Sequence, residues 1–172
     1  MEAIQNIEEL YEKYRPYIYT YLFYQTGSKE ISEELSQEVF LRAFKSLSTY
    51  RGDCSVKTWL YTIAHNLYAT WYKRETKYGM TTLDNTNEAD FLSEEGIPED
   101  SLEKRERRER VRKVLNLLKE EHRTALILCD VMEFSYAEIA ELSGWNLSKV
   151  KIVIYRARIQ FKLLFESEGD NI

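Results

Sequence analysis

Apolar residues recur at intervals of three and four along most of this chain, the period of helices with one buried face. Over residues 5–24, Leu10, Tyr14, Tyr17 or Ile18, and Tyr21 or Leu22 form such a stripe and predict a first helix. Pro16 interrupts it. Proline lacks the backbone donor and clashes with the preceding turn, so a kink or break is expected there. Gly27 and Ser28 mark a turn. A second helix is read as opening at Ser32, with Leu35, Val39, Ala43 or Phe44, and Leu47 as its buried stripe. Residues 50–55 read as a loop around Gly52 and Asp53. A third helix follows, carried by Trp59 or Leu60, Ile63 or Ala64, Leu67 or Tyr68, and Trp71. It ends near Lys77, with Gly79 as its C-cap.

From residue 81 to residue 100 the periodicity disappears. Asp84, Asn85, Asn87, Glu88, Asp90, Glu94, Glu95, Gly96 and Pro98 dominate, a composition that buries too little surface to hold a fold and reads as a flexible linker. Helical spacing returns at Ser101, through Val111, Val114 or Leu115 and Leu118, then over 125–128, 136–142 and 148–165. No segment alternates like a strand. The β-branched cluster at 150–154 belongs to a helical stripe of Val150, Ile154, Ala157, Phe161 and Leu164. The prediction is an all-α chain of two small helical domains joined by a flexible acidic linker. The domains occupy residues 1–79 and 103–168, and the linker residues 80–102.

Ala140, Gly144 and Val150 give the second half a more specific reading. A helix-turn-helix needs a small residue where its helices cross, a residue tolerant of positive φ at the turn, and an apolar pin under the second helix. These three supply them in order, and Asn146 or Ser148 can cap the second helix.

Charge strengthens that reading. The net charge is −5, which at first sight disfavours nucleic acid, but its distribution decides more than its sum. Residues 1–79 balance ten acids against ten bases, residues 80–102 hold seven acids and no base, and residues 103–172 hold fourteen bases and twelve acids. Between Leu142 and Phe165 stand Lys149, Lys151, Arg156, Arg158 and Lys162 without one acid. Phosphate neutralisation requires such a local excess. If Val150, Ile154, Ala157 and Phe161 face inward, then Lys149, Lys151 and Arg156 are candidates for phosphate or base-edge contact. Ile152 and Val153 admit two readings, contact with thymine methyl groups or additional core.

Other chemistry is sparse. Cys54 and Cys129 form no metal-binding pair with His65 and His122 and read as two unpaired thiols in a reducing compartment. No nucleophile–base set, phosphate loop or paired carboxylate motif occurs, so neither an enzyme nor a cofactor is expected. No run of about 18 apolar residues exists, and the acidic N-terminus lacks the signal-peptide pattern. A cytoplasmic protein without membrane insertion is expected. The third predicted helix interleaves Trp59, Tyr61, Tyr68, Trp71 and Tyr72 with Lys57, Lys73, Arg74 and Lys77. That mixture suits unstacked bases lying on rings, although the spacing of Trp59 and Trp71 also matches the buried stripe.

The run ELSQEVFLRAF at 34–44 and the run YRGDCSVKTWLYTIAHN at 50–66 resemble region 2 of extracytoplasmic-function sigma factors, the group IV members of the sigma-70 family. Residues 135–158, with SYAEIA, SKVK and YRAR, resemble region 4. The resemblance covers nearly the whole chain outside the linker. It implies a polymerase subunit that recognises the −10 and −35 promoter elements. Glu34, Gln37, Glu38, Phe40, Leu41 and Arg42 match the helix that docks on the β′ clamp of core RNA polymerase. Gly52, Asp53, Ser55, Lys57, His65, Asn66, Lys73 and Arg74 match the part that opens the −10 element and captures a flipped base. Ser148, Lys149, Lys151, Tyr155, Arg156 and Arg158 match the helix that enters the major groove at −35. The acidic linker matches the segment that threads through polymerase toward the RNA exit path. The implied partners are core polymerase through its β′ and β subunits, promoter DNA and an anti-sigma protein.

Family members commonly carry Arg where this chain has Thr62 and His65, Asp at Thr70, and Ser and Arg at Ile152 and Val153. With fewer cations toward DNA, the chain is expected to need core polymerase for promoter binding. The competing reading is a free-standing helix-turn-helix regulator with a helical N-terminal sensor domain. It leaves the 34–66 runs unexplained.

Overall fold

A computed structural model describes residues 7–79 and 101–169, and these are helical throughout apart from short connections. Seven α-helices follow in order: α1 (Ile7–Thr26), α2 (Lys29–Ser46), α3 (Val56–Lys77), α4 (Leu102–Leu117), α5 (Glu120–Leu126), α6 (Tyr136–Ser143) and α7 (Leu147–Gly169). A 3-10 turn (Leu47–Thr49) closes α2, and a π-helical turn (Ile127–Val131) extends α5. The stretch 80–102 marked as an acidic linker lies outside the described residues except for its last two.

Helices α1 to α3 form one bundle around Ile18, Tyr21, Leu22, Val39, Ala43, Leu60, Ala64 and Tyr68, all fully buried. Each of the aliphatic side chains larger than alanine contributes about 1.5–3 kcal/mol by leaving water. Two boundaries differ from the sequence expectation. Helix α1 runs unbroken through Pro16. Pro16 and the residue one turn before it, Glu12, are both exposed, so the carbonyl that loses its donor can face water instead. Helix α2 opens at Lys29, not Ser32, because Ser28 takes the N-cap and its hydroxyl accepts from the Ile31 amide. Ser32 is buried inside the helix, donating to the Ser28 carbonyl at 2.6 Å. The third helix forms as expected: Ser55 caps it by accepting from the Thr58 amide at 3.0 Å, and Gly79 follows its end at φ +66°.

The second bundle places α5, α6 and α7 around Ala125, Ile127, Leu128, Ile139, Val150, Ile154 and Ala157. A capping box opens α6, with Ser135 and Glu138 each bonding the other's backbone amide. Gly144 ends α6 at φ +72°, a conformation that costs a side-chain-bearing residue about 1–2 kcal/mol. The Asn146 carboxamide oxygen then accepts from the Lys149 amide at 2.7 Å and starts α7. The helix-turn-helix thus forms where the spacing put it, with Val150 fully buried and Ala140 half-buried at the crossing.

The two bundles also touch each other. Gln25 on α1 is fully buried and donates to the Thr124 hydroxyl of α5 at 3.0 Å. Arg123 donates to the Tyr68 hydroxyl at 3.0 Å.

Candidate polymerase and nucleic-acid interfaces

Three surfaces collect the residues singled out from the sequence. The first is the outer face of α2. Glu34, Gln37 and Arg42 are exposed and Glu38 is half-buried, and Arg42 Nε donates to Glu38 Oε1 at 2.8 Å. Leu41 stands 54% exposed on this face. Phe40 does not join it: it is only 8% exposed and packs its ring edge-on against Tyr11 at 5.0 Å. Phe44, one of two alternatives for the buried stripe, is instead 61% exposed, and the core position goes to Ala43. Residues 34, 37, 41 and 44 are spaced by three and four, so one helix face carries polar groups around two unpartnered apolar side chains. A large exposed hydrophobe beside another marks a docking surface more than a single one does. The sequence missed Phe44 because its spacing fits both stripes.

The second surface combines the 50–55 loop with α3. Gly52, Asp53 and Ser55 are exposed, and Tyr50 lies over Trp59 with ring centroids 4.9 Å apart. The Tyr50 hydroxyl donates to the Cys54 carbonyl at 2.5 Å and fixes the loop. Asn66, Lys73 and Arg74 are exposed on α3. His65 turns the other way: its Nδ1 lies 3.4 Å from the Tyr21 hydroxyl, and burial lowers its pKa below 6.5, so the ring is neutral. Lys57 is half-buried, donates to the Met132 carbonyl at 3.1 Å and sits 4.3 Å over the Phe134 ring. Trp59 and Trp71 are half-buried against the core.

The third surface is the outer side of α7. Ser148, Lys151, Tyr155 and Arg156 are exposed. Lys151 and Arg156 make no ion pair among the described residues. Lys149 is engaged with Glu121 of α5 at 2.5 Å and stands 4.6 Å over the Trp145 ring. Arg158 is engaged with Asp130 at 2.6 Å, and this hydrogen bond raises the guanidinium pKa further. The acid-free run along the chain therefore meets acids supplied by α5 and the π-helical turn. Ile152 and Val153 part company: Val153 is core at 6% exposure, while Ile152 faces solvent at 50%.

Comparison with known proteins matches two separate segments of the chain. The family model Sigma-70 region 2 matches residues 10–78, and Sigma-70, region 4 matches residues 108–161. The RNA polymerase sigma factor YlaC of Bacillus subtilis is 40% identical over 162 residues, 94% of this chain and 93% of that one. The ECF RNA polymerase sigma factor SigM of the same organism is 29% identical over 160 residues, 93% and 95% of the two chains. Among solved structures, the sigma factor RpoE from Bartonella quintana, crystallised with the anti-sigma factor NepR, superposes with a TM-score of 0.71 at 22% identity. That match covers 92% of this chain and 96% of the other, and at such identity it speaks for the fold.

Proposed function

The chain belongs to the sigma-70 family of RNA polymerase sigma factors, in its extracytoplasmic-function group, and on that premise we propose how its surfaces divide the work. It binds core RNA polymerase and directs promoter-specific initiation under the control of an anti-sigma factor. It acts in the cytoplasm as a binding subunit and performs no catalysis of its own. Residues 1–79 act as region 2, 80–102 as the linker and 103–168 as region 4.

The outer face of α2 docks on the polymerase β′ clamp. Glu34, Gln37, Glu38 and Arg42 fix orientation there, and Leu41 with Phe44 supplies the apolar anchors. Phe40 supports that face from beneath. The loop residues Gly52, Asp53 and Ser55, with Lys57, Asn66, Lys73 and Arg74, hold the opened −10 strand. Extracting a base from the stack costs a few kcal/mol, which loop polar groups and the Tyr50–Trp59 pair can offset by stacking and hydrogen bonding. His65 contributes by positioning, as a neutral ring held against α1. Ser148, Lys151, Tyr155 and Arg156 meet the −35 major groove directly, with Lys149 and Arg158 reaching phosphate by exchanging their carboxylate partners.

The observation that carries this reading is the exposed, unpartnered Leu41–Phe44 pair amid a polar face, in the same chain as a basic helix-turn-helix. A free-standing regulator would leave the 10–78 match without a role. Run-off transcription with core polymerase on a pool of promoters tests it. A start-site-specific transcript is expected with the chain present, and its absence would sink the proposal. In the Gln37→Ala, Arg42→Ala double variant, core binding should fall while the helical content stays unchanged.

A further inference from the structure

We infer that Ile152 is a specificity-determining residue, which reads the C5-methyl group of a thymine in the −35 element from the outermost line of α7. This rests on the sigma-factor reading above and adds a base contact to it.

The position of Ile152 on the helix is the first argument. Val150, Val153, Ile154 and Ala157 fill the core beneath α7, whereas Ile152 stands 50% exposed. At about 100° per residue, the mean direction of those four lies nearly opposite to Ser148, Ile152 and Tyr155, which share one line within about 60°. Lys151 and Arg156, both exposed, flank that line on its two sides. From Ser148 to Arg156 the helix rises about 12 Å, the width of the major groove. Ile152 is the midpoint of that span. Ile159 and Leu163, exposed further along the same face, lie beyond it.

What the face lacks is the second argument. In the major groove each base pair shows its own donors and acceptors, and thymine alone adds a methyl group. Lys151 and Arg156 suit the paired acceptors of guanine. Adenine calls for a carboxamide that uses both its oxygen and its nitrogen, and the two nearby carboxamides are committed elsewhere. The Asn146 oxygen accepts from the Lys149 amide at 2.7 Å, and Gln160 Oε1 lies 2.8 Å from His122 Nδ1. Residues 147–156 hold no carboxylate to accept from cytosine. This face therefore tells an A·T pair from the others by the thymine methyl. Tyr155 ends in a hydroxyl suited to a phosphate oxygen, and Leu147 stands about 100° away from Ser148 around the helix. That leaves Ile152 as the apolar side chain on the outward line. Contact between it and a methyl group takes apolar surface on both partners out of water and breaks no hydrogen bond.

Holoenzyme reconstituted with the full chain tests this. From promoters randomised over the −35 element, the wild type should select at least one fixed A·T pair. Ile152→Ala should lose the preference at that pair and keep it elsewhere; the same preference in both proteins, or no A·T pair selected, overturns the inference. In the selected promoter each −35 thymine is then replaced in turn by deoxyuridine, which removes the methyl and keeps every hydrogen-bonding group. One such replacement should cost the wild type about threefold to fivefold in affinity, as loss of one buried methyl group does. It should cost Ile152→Ala less than about 1.5-fold, because the contact is already gone. Equal sensitivity of the two proteins overturns the inference. So does a uniform loss in Ile152→Ala on thymine and deoxyuridine promoters alike, which would assign the side chain to core polymerase. Circular dichroism should show the same helical content in both proteins, and a loss of it in the variant would place Ile152 in the core and overturn the inference too. Selection of no −35 sequence at all by the wild-type holoenzyme would overturn the sigma-factor reading instead.

Discussion

His65 lies with its Nδ1 3.4 Å from the Tyr21 hydroxyl, and burial lowers its pKa below 6.5. The unfolded chain therefore takes up the proton first as pH falls. The neutral ring favours the fold at and above the unfolded pKa, and that contribution is lost as pH drops below it toward the folded value. Melting temperature should fall as pH drops below about 6.5, and His65→Gln, which removes the titrating ring, should flatten that fall. A wild-type profile no steeper than the variant's would refute this. Leu41 and Phe44 offer a second residue-scale prediction. Both are exposed in the free chain, so Phe44→Ser should leave folding stability within about 0.5 kcal/mol. It should weaken core binding by about tenfold or more, as loss of an apolar anchor does, measured by titration against labelled core. Phe44 also shows what single residues hide in a sequence. With apolar residues at both 43 and 44, periodicity offers two registers, and only the packing of Ala43 at full burial chooses between them. Val153 and Ile152 were undecidable for the same reason.

At the scale of elements, helix cores were legible and helix ends less so. The stripe in α3 and its Gly79 boundary read directly, because a left-handed glycine leaves a local mark, whereas the Ser55 cap emerged only from the structure. Helix α2 misled because Ser28 and Ser32 are both plausible caps, and the choice falls to the turn at Gly27, whose φ is +67°. Pro16 misled because exposure, which sequence does not give, decides whether a missing donor breaks a helix. The helix-turn-helix depends on two local devices that can be removed separately. Ser135→Ala deletes the capping box of α6 and should cost about 1 kcal/mol. Gly144→Ala meets no atom within 4 Å, so its cost is backbone strain alone, again about 1 kcal/mol. Urea melts of the full chain check both, and two changes smaller than about 0.3 kcal/mol would show that neither device holds the motif.

At the scale of the whole molecule, the order of the halves is legible along the chain but their contact is not. Gln25 and Thr124 are 99 residues apart, and no pattern within either segment requires one to face the other. The charge balance of α7 was likewise invisible along the chain, since Glu121 and Asp130 arrive from elsewhere in region 4. Exposed ion pairs are worth about 0.2–1 kcal/mol, enough to hold Lys149 and Arg158 in place yet release them to phosphate. Glu121→Gln should therefore raise promoter affinity of the holoenzyme by up to about fivefold. Lys151→Ala should lower the dependence of log affinity on log salt by about one unit. Filter binding across a salt series measures both, and a slope unchanged in Lys151→Ala would remove that residue from the DNA face.

Lys149 also stands 4.6 Å above the Trp145 ring. An ammonium resting on an indole perturbs its excited state, and withdrawal of the lysine toward a phosphate would take that perturbation away. With Trp59 and Trp71 replaced by phenylalanine, the remaining indole becomes a native optical reporter of −35 engagement, free of any attached dye.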